Sequence, residues 1–259
     1  MKRLDLPEFR SLVSLLENDT PAKSLDLTQK KRLHPQNLLK IRRKGGVGSG
    51  YLLTNDGYFI TNNHVLPEEV AQVYINKIPF PFNVARTLIR SRLHDLVLAQ
   101  IPLNIGSSPT SVVLADQYPR ESEHVRTYSF STERALRSHG VIIPYKDGIP
   151  LDGLEELLGN EIMSDFNRLF GPFTEHYQDA QSKVSRNTHH STCTIKPGWS
   201  GGPVVSEATG NILGITKGIT KSILPTQSLY SAISRQYHSF SSVVVVRTMI
   251  NHFLNGQGK

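Results

Sequence analysis

Lys196-Pro197-Gly198-Trp199-Ser200-Gly201-Gly202-Pro203 stands directly before the apolar pair Val204-Val205. Glycines around a single serine let the backbone turn tightly without Cβ clashes, and leave the Gly198 and Ser200 amides free to converge on one point. Convergent amides are what an oxyanion needs. A glycine-rich loop can also expose a serine by accident, so the reading depends on partners elsewhere in the chain, and two lie upstream. His64 ends the phrase Thr61-Asn62-Asn63-His64-Val65, and Asp95 follows in Leu93-His94-Asp95-Leu96-Val97-Leu98. A serine nucleophile needs an imidazole to take its proton, and the imidazolium needs a carboxylate to fix its tautomer and share its charge. The three residue types required are all present, each expected at a strand end.

Outward from these phrases, the chain from residue 38 alternates short apolar segments with Gly, Asn and Asp: 38–41, 51–54, 58–61, 70–75, 84–89, 96–101 and 112–115. Many short strands with turn signals indicate an all-β sandwich or barrel. Asn55-Asp56-Gly57 separates two of them and predicts a hairpin with a type I′ turn. Further strands are expected at 192–195, 204–205, 212–216 and 229–233, with a closing helix over 242–254 capped by Ser242. Between 146 and 190, Leu154, Leu157, Leu158, Ile162, Phe166, Leu169 and Phe170 recur at three- and four-residue steps and predict an inserted amphipathic helix, either a lid or exosite or plain packing. Residues 1–36 read as an appendage in which Leu12, Val13, Leu15 and Leu16 form a short helical apolar face.

The 259 residues suffice for a sizeable core, and no apolar run approaches the roughly 18 residues of a membrane-spanning helix. The start follows its basic pair with Asp5, Pro7 and Glu8 in place of an apolar region, so the expected location is the cytoplasm, or outside it by a route that reads no such signal. A single cysteine, Cys193, excludes an intramolecular disulfide and reads as a small core residue. His189 and His190, with His176 and Cys193, read as solvated loop histidines rather than a metal site. The formal charge is +7, and Lys30, Lys31, Arg32, Lys40, Arg42, Arg43 and Lys44 concentrate it within residues 30–44. That run is expected to be a solvated arm leading into the first strand, with nucleic acid or an anionic membrane as the alternative partner.

Taken together, Gly48-Ser49-Gly50, Tyr58-Phe59-Ile60-Thr61-Asn62-Asn63-His64-Val65, His94-Asp95-Leu96-Val97-Leu98 and Pro197-Gly198-Trp199-Ser200-Gly201-Gly202-Pro203 resemble the chymotrypsin-like serine proteases, and within them the trypsin-like HtrA/Deg branch. The resemblance implies a double β-barrel over residues 37–259 with the inserted helix and the C-terminal helix added. It implies a serine endopeptidase acting on polypeptides through an acyl-enzyme and needing no cofactor. Ser200 would be the nucleophile, His64 the general base, Asp95 the orienting carboxylate, and Gly198 with Ser200 the oxyanion amides.

In the same resemblance, Gly214-Ile215-Thr216-Lys217-Gly218 matches the strand that pairs with substrate, and the Thr216 hydroxyl matches the group that supports the triad aspartate. The primary pocket would have Thr194 at its base, Lys217 and Gly218 on one wall, and Ser231 and Ala232 on the other. A pocket without a carboxylate implies small or medium uncharged residues before the cut. Trp199 departs from the pattern, since digestive members carry aspartate there and the HtrA branch commonly asparagine; its bulk is expected to pack inside. Only 259 − 234 = 25 residues follow Ser234, too few for a PDZ domain. The rival readings are a catalytically silent peptide-binding module on the same scaffold, and a protein whose basic arm binds nucleic acid or membrane.

Overall fold

Apolar residues on one side of residues 38–61 fold back twice to make the start of a sheet. The computed structural model describes residues 9–17, 35–43, 46–66, 71–75, 78–82, 87–92, 94–101, 112–131, 134–143, 187–224 and 233–256. Strands β1 (Leu38–Arg43), β2 (Gly46–Leu52), β3 (Tyr58–Thr61), β4 (Ala71–Ile75), β5 (Ile78–Phe82), β6 (Thr87–Ser91) and β7 (Leu96–Gln100) form an antiparallel sheet in the order β5-β4-β1-β2-β3-β7-β6. Strands β8 (His124–Ser131), β9 (Arg134–Ile143), β10 (Thr188–Ser191), β11 (Pro203–Ser206), β12 (Ile212–Leu224) and β13 (Ile233–Ser242) close into a barrel in the order β10-β13-β12-β11-β8-β9. The molecule is mostly β and has the chymotrypsin-like double-barrel fold that the sequence suggested.

The hairpin at 55–57 is present, with Leu53 N–H donating to the Tyr58 carbonyl at 2.7 Å. Its turn differs from the expectation. A type I′ turn needs positive φ at both central residues, whereas Gly57 alone is positive there, at 93°. Gly57 N–H bonds the Thr54 carbonyl, so a right-handed turn is closed by one left-handed glycine.

Several strand limits also move. The 112–115 segment makes only a single bridge, Leu114 to Ile212. The strand expected at 192–195 lies earlier, at Thr188–Ser191, and the one expected at 229–233 runs instead over Ile233–Ser242. The helix expected over 146–190 falls outside the described residues as far as 186, and 188–190 are strand.

The closing helix α2 (Val243–Gly256) buries Val243, Val246, Met249, Ile250, Phe253 and Leu254, and Val244 N–H donates to the Ser242 hydroxyl at 3.2 Å, which makes Ser242 its N-cap. Helix α1 (Arg10–Glu17) docks on it. Phe9 meets Phe253 edge to face at 5.2 Å, and Arg247 Nη2 donates to the Leu16 carbonyl at 2.9 Å. Ser11 adds a 2.7 Å bond to Asp56 in the hairpin turn. Leu12 and Leu15 join the core shared by both halves. No helix among the described residues is long and apolar enough to cross a membrane.

Because Leu12 is wholly buried in that shared core, Leu12→Ala should lower unfolding stability by about 2–4 kcal/mol. Urea melts check this: the midpoint should fall while the slope is retained. An unshifted midpoint would mean that α1 contributes nothing to the fold.

Candidate active site

Pairing of β3 with β7 sets Thr61 opposite Val97, so the chain leaving β3 and the chain entering β7 arrive at the same end of the sheet. His64 sits in the short turn after β3, and Asp95 in the turn before β7. Asp95 takes a left-handed backbone, φ 55°, a conformation that aspartate tolerates better than most residues. Its carbonyl is held by Asn62 Nδ2 at 2.9 Å and by Asn63 N–H at 3.1 Å. Asp95 Oδ2 lies 2.6 Å from His64 Nδ1, and Oδ1 accepts the His64 amide at 3.0 Å. Two contacts from one carboxylate fix both the backbone and the ring of the histidine, and leave Nε2 as the outward nitrogen.

Ser200 comes from the other half of the molecule. Gly198 and Gly201 in its loop have φ of 92° and 91°, which a side chain would strain, and a Cβ on Gly201 would strike the Ser49 carbonyl. The Trp199, Gly201 and Gly202 amides donate to the Lys196, Thr216 and Trp199 carbonyls. Among the described residues, the Gly198 and Ser200 amides have no protein acceptor. Ser49 anchors the loop from β2: its amide donates to the Ser200 carbonyl at 2.7 Å and its hydroxyl to the Gly198 carbonyl at 3.0 Å. Trp199 is buried, as expected of its bulk.

The Ser200 hydroxyl donates to the Lys217 carbonyl at 2.8 Å, not to His64. The β12–β13 register slips between Thr216 and Gly218, so Lys217 sits on a bulge with its carbonyl turned toward the nucleophile loop. The slip also goes with a different role for Thr216 than the resemblance implied. The Thr216 hydroxyl, expected to support that aspartate, bonds Thr127 at 2.9 Å and His238 Nε2 at 3.1 Å inside the barrel. Lys217 instead lies within electrostatic reach of Asp95.

Of the expected pocket residues, Thr194 is exposed rather than at a closed base, its amide held by the Ser138 hydroxyl at 2.9 Å. Gly218 is half-buried, and Ala232 and Ser231 lie outside the described residues. His189 and His190 are half-buried on β10 rather than on a solvated loop, while His176 lies outside the described residues. Cys193 is a buried free thiol.

A polar chain missed in the sequence runs behind the site. Thr127, Thr216, His238 and Ser191 are linked by hydroxyl and ring hydrogen bonds, Ser191 Oγ to His238 Nδ1 being 2.8 Å. The Cys193 amide then bonds the Ser191 hydroxyl at 3.3 Å, tying the chain to the segment that leads into the nucleophile loop. Burial pushes His238 down to about 3, and His189 down to about 4.

Residues 48–215 match the family model of the trypsin-like peptidase domain. The chain belongs to that family. The trypsin-like domain here is also similar in structure to Rv3671c from M. tuberculosis H37Rv, in the inactive form of a serine-to-alanine mutant, with TM-score 0.56, 16% identity, 90% of this chain covered and 94% of that one. The inactive form of the Rv3671c protease gives TM-score 0.56 at 16% identity, with coverages of 90% and 97%. A serine endoprotease from Yersinia pestis gives TM-score 0.55 at 14% identity, with coverages of 89% and 67%. No curated protein matches the sequence.

Unfolding the trypsin-like domain returns His238 and His189 to their ordinary value near 6.5, so the unfolded chain binds more protons below that pH. Their contribution to stability is therefore complete above about 6.5 and is lost as pH falls toward about 4 and 3. Melting temperature should drop from pH 7 to pH 4, and less steeply in His238→Gln. Equal slopes in the two proteins would show that His238 is not the group that takes up the proton.

Proposed function

We propose that the protein is a serine endopeptidase in which Ser200, His64 and Asp95 cleave peptide bonds through an acyl-enzyme. The observation that carries the reading is the double contact of Asp95 on His64, 2.6 Å to the ring and 3.0 Å to the amide. It favours the tautomer with a free Nε2, the one needed to accept a serine proton.

In this reading, rotation about the Ser200 side-chain bond takes the hydroxyl from the Lys217 carbonyl to His64, a move between staggered wells. Ser200 Oγ then attacks the substrate carbonyl as its proton passes to His64 Nε2. The developing oxyanion sits on the Gly198 and Ser200 amides. The intermediate collapses as the C–N bond breaks and His64 returns the proton to the departing amine. Water then attacks the acyl carbon as His64 takes its proton, the bond from that carbon to Ser200 Oγ breaks, and His64 returns the proton to Ser200. Polypeptide is the substrate class that the family supports.

The hydroxyl's resting place on Lys217 also suits the rival reading, a silent scaffold that only binds peptides. A fluorophosphonate probe separates them: covalent labelling of the wild type and none of Ser200→Ala is expected. Ser200→Ala should lose on the order of 10⁶ in kcat with its fold intact. Asp95→Asn should lose roughly 10⁴ through the wrong histidine tautomer. Unlabelled wild-type protein, or turnover that survives Ser200→Ala, would sink the assignment.

A further inference from the structure

β1 and β2 meet in register with Lys40 opposite Ser49 and Arg42 opposite Val47. Directly opposed residues turn their side chains to one face of a sheet, and that face is the one from which the Ser49 hydroxyl bonds the Gly198 carbonyl at 3.0 Å. β4 continues it, with Tyr74 opposite Lys40 and Gln72 opposite Arg42. The Lys40 ammonium stands 5.8 Å from the Tyr74 ring centre, a cation–π contact, while Leu39 and Ile41 turn the other way into the core. Two bases thus flank β2 where it holds the nucleophile loop.

Arg42 is the exposed member of the pair. Among the described residues its guanidinium has neither a hydrogen-bond nor an ion-pair partner, so its fork of N–H donors is left to solvent. Asp95 does not compete for it. β2 and β3 lie between β1 and β7, the strand that Asp95 enters, and three strand spacings put the two backbones about 14 Å apart, beyond the screening length of about 8 Å at physiological salt. Both Asp95 oxygens are moreover committed to His64.

Val47 brings this face to the reacting position. Its carbonyl lies 3.6 Å from where a Cβ on Gly198 would stand, so the β2 backbone beside Arg42 rests against the residue whose amide is to hold the oxyanion. From the other side, the Lys217 carbonyl of β12 takes the Ser200 hydroxyl at 2.8 Å. The β11 ladder on β12 ends at Ile215, and the edge beyond it is open, among the described residues, to an added extended strand. The residues before the cut belong to that edge, where the resemblance sets the pocket walls Lys217 and Gly218. A peptide lying there with its cleaved carbonyl at Gly198 and Ser200 carries its departing part over Val47, toward Arg42.

We propose that Arg42, with Lys40 behind it, forms a subsite for an acidic side chain on the C-terminal, departing side of the cleaved bond. The inference deepens the peptidase reading and rests on it for the direction of the chain. Its chemistry is a carboxylate accepting a two-pronged hydrogen bond from an exposed guanidinium. The chain's formal charge of +7 draws acidic segments toward the site at longer range.

The test pairs Glu with Gln at each of the first three positions on the C-terminal side of the cleaved bond of a fluorogenic peptide. At one of them kcat/KM should favour Glu by about three- to fivefold, the scale of a well-placed exposed ion pair. Arg42→Gln should slow the Glu peptide by that factor and leave the Gln peptide unchanged, and Arg42→Glu should bring the Glu/Gln ratio below one. In wild-type protein the ratio should approach one at 1 M salt, where charge attraction is screened.

Affinity supplies a readout independent of turnover. Ser200→Ala protein should bind the Glu peptide about three- to fivefold more tightly than the Gln peptide. Equal cleavage and equal binding of the pair, equal slowing of both peptides by Arg42→Gln, or a ratio that survives 1 M salt overturns the subsite. Salt-dependent binding of a single-stranded oligonucleotide that is lost in Arg42→Gln, while the two peptides stay equal, overturns it in favour of nucleic acid. Discrimination in binding without fluorophosphonate labelling of the wild type would overturn the peptidase reading alone.

Discussion

Ser49 holds the nucleophile loop at two carbonyls, those of Gly198 and Ser200, while its own hydroxyl accepts Phe130 N–H at 2.9 Å and its carbonyl accepts Thr61 Oγ1 at 2.6 Å. One side chain on β2 is thereby bonded to the loop before β11 and to the end of β8, across the seam between the two halves. Each such bond contributes only about 1 kcal/mol net, but their geometry matters more than their sum. With both carbonyls drawn to Ser49, the peptide units on either side of Trp199 cannot rotate freely. Close approach is possible because Gly201 has no Cβ to meet the Ser49 carbonyl. The His64–Asp95 pair belongs to the N-terminal sheet and Ser200 to the barrel, so their relative position depends on this seam and on the Ser241 hydroxyl, which donates to the His94 carbonyl at 2.7 Å.

The barrel that carries Ser200 has an unusually polar lining. Thr127, Ser129, Ser191, Thr216 and His238 are all buried, and such groups are tolerated where hydrogen bonds replace water. The Thr127–Thr216–His238–Ser191 chain meets that condition. It also makes His238 a neutral tie among β8, β12, β13 and β10, close to the Thr216 amide and carbonyl that pair with Gly202 and Gly201. Stability of this barrel and placement of the nucleophile loop therefore share the same atoms.

That lining explains which parts of the fold could be read from the sequence. Strands β1, β3 and β7 bury Leu39, Ile41, Ile60 and Leu98, so hydrophobicity marks them. Strands β8 and β9 read HVRTYSFS and RALRSHGVII, and β8 turns Thr127 and Ser129 inward, which breaks the apolar period on which a strand reading depends. The three chemistry-bearing residues were legible because glycines and short apolar runs frame them. Ser49 was visible only as the centre of Gly48-Ser49-Gly50, and nothing local distinguishes a clamp from a hinge there.

Lys217 shows where one-dimensional reading stops. A β-bulge adds a residue to one strand without changing the composition around it, so an alignment by motif counts straight through Gly214-Ile215-Thr216-Lys217-Gly218 and assigns Thr216 the place beside Asp95. The register slip after Thr216 turns its hydroxyl inward to His238 and leaves Lys217 within electrostatic reach of the carboxylate. One consequence is backbone: the bulged carbonyl is free of the ladder and takes the Ser200 hydroxyl. The other is electrostatic: the Lys217 cation comes within electrostatic reach of the carboxylate that orients His64, and the Thr216 hydroxyl does not bond it. Both follow from a single irregularity in β12, so the resting position of the nucleophile and the charge around the histidine–aspartate pair are set together.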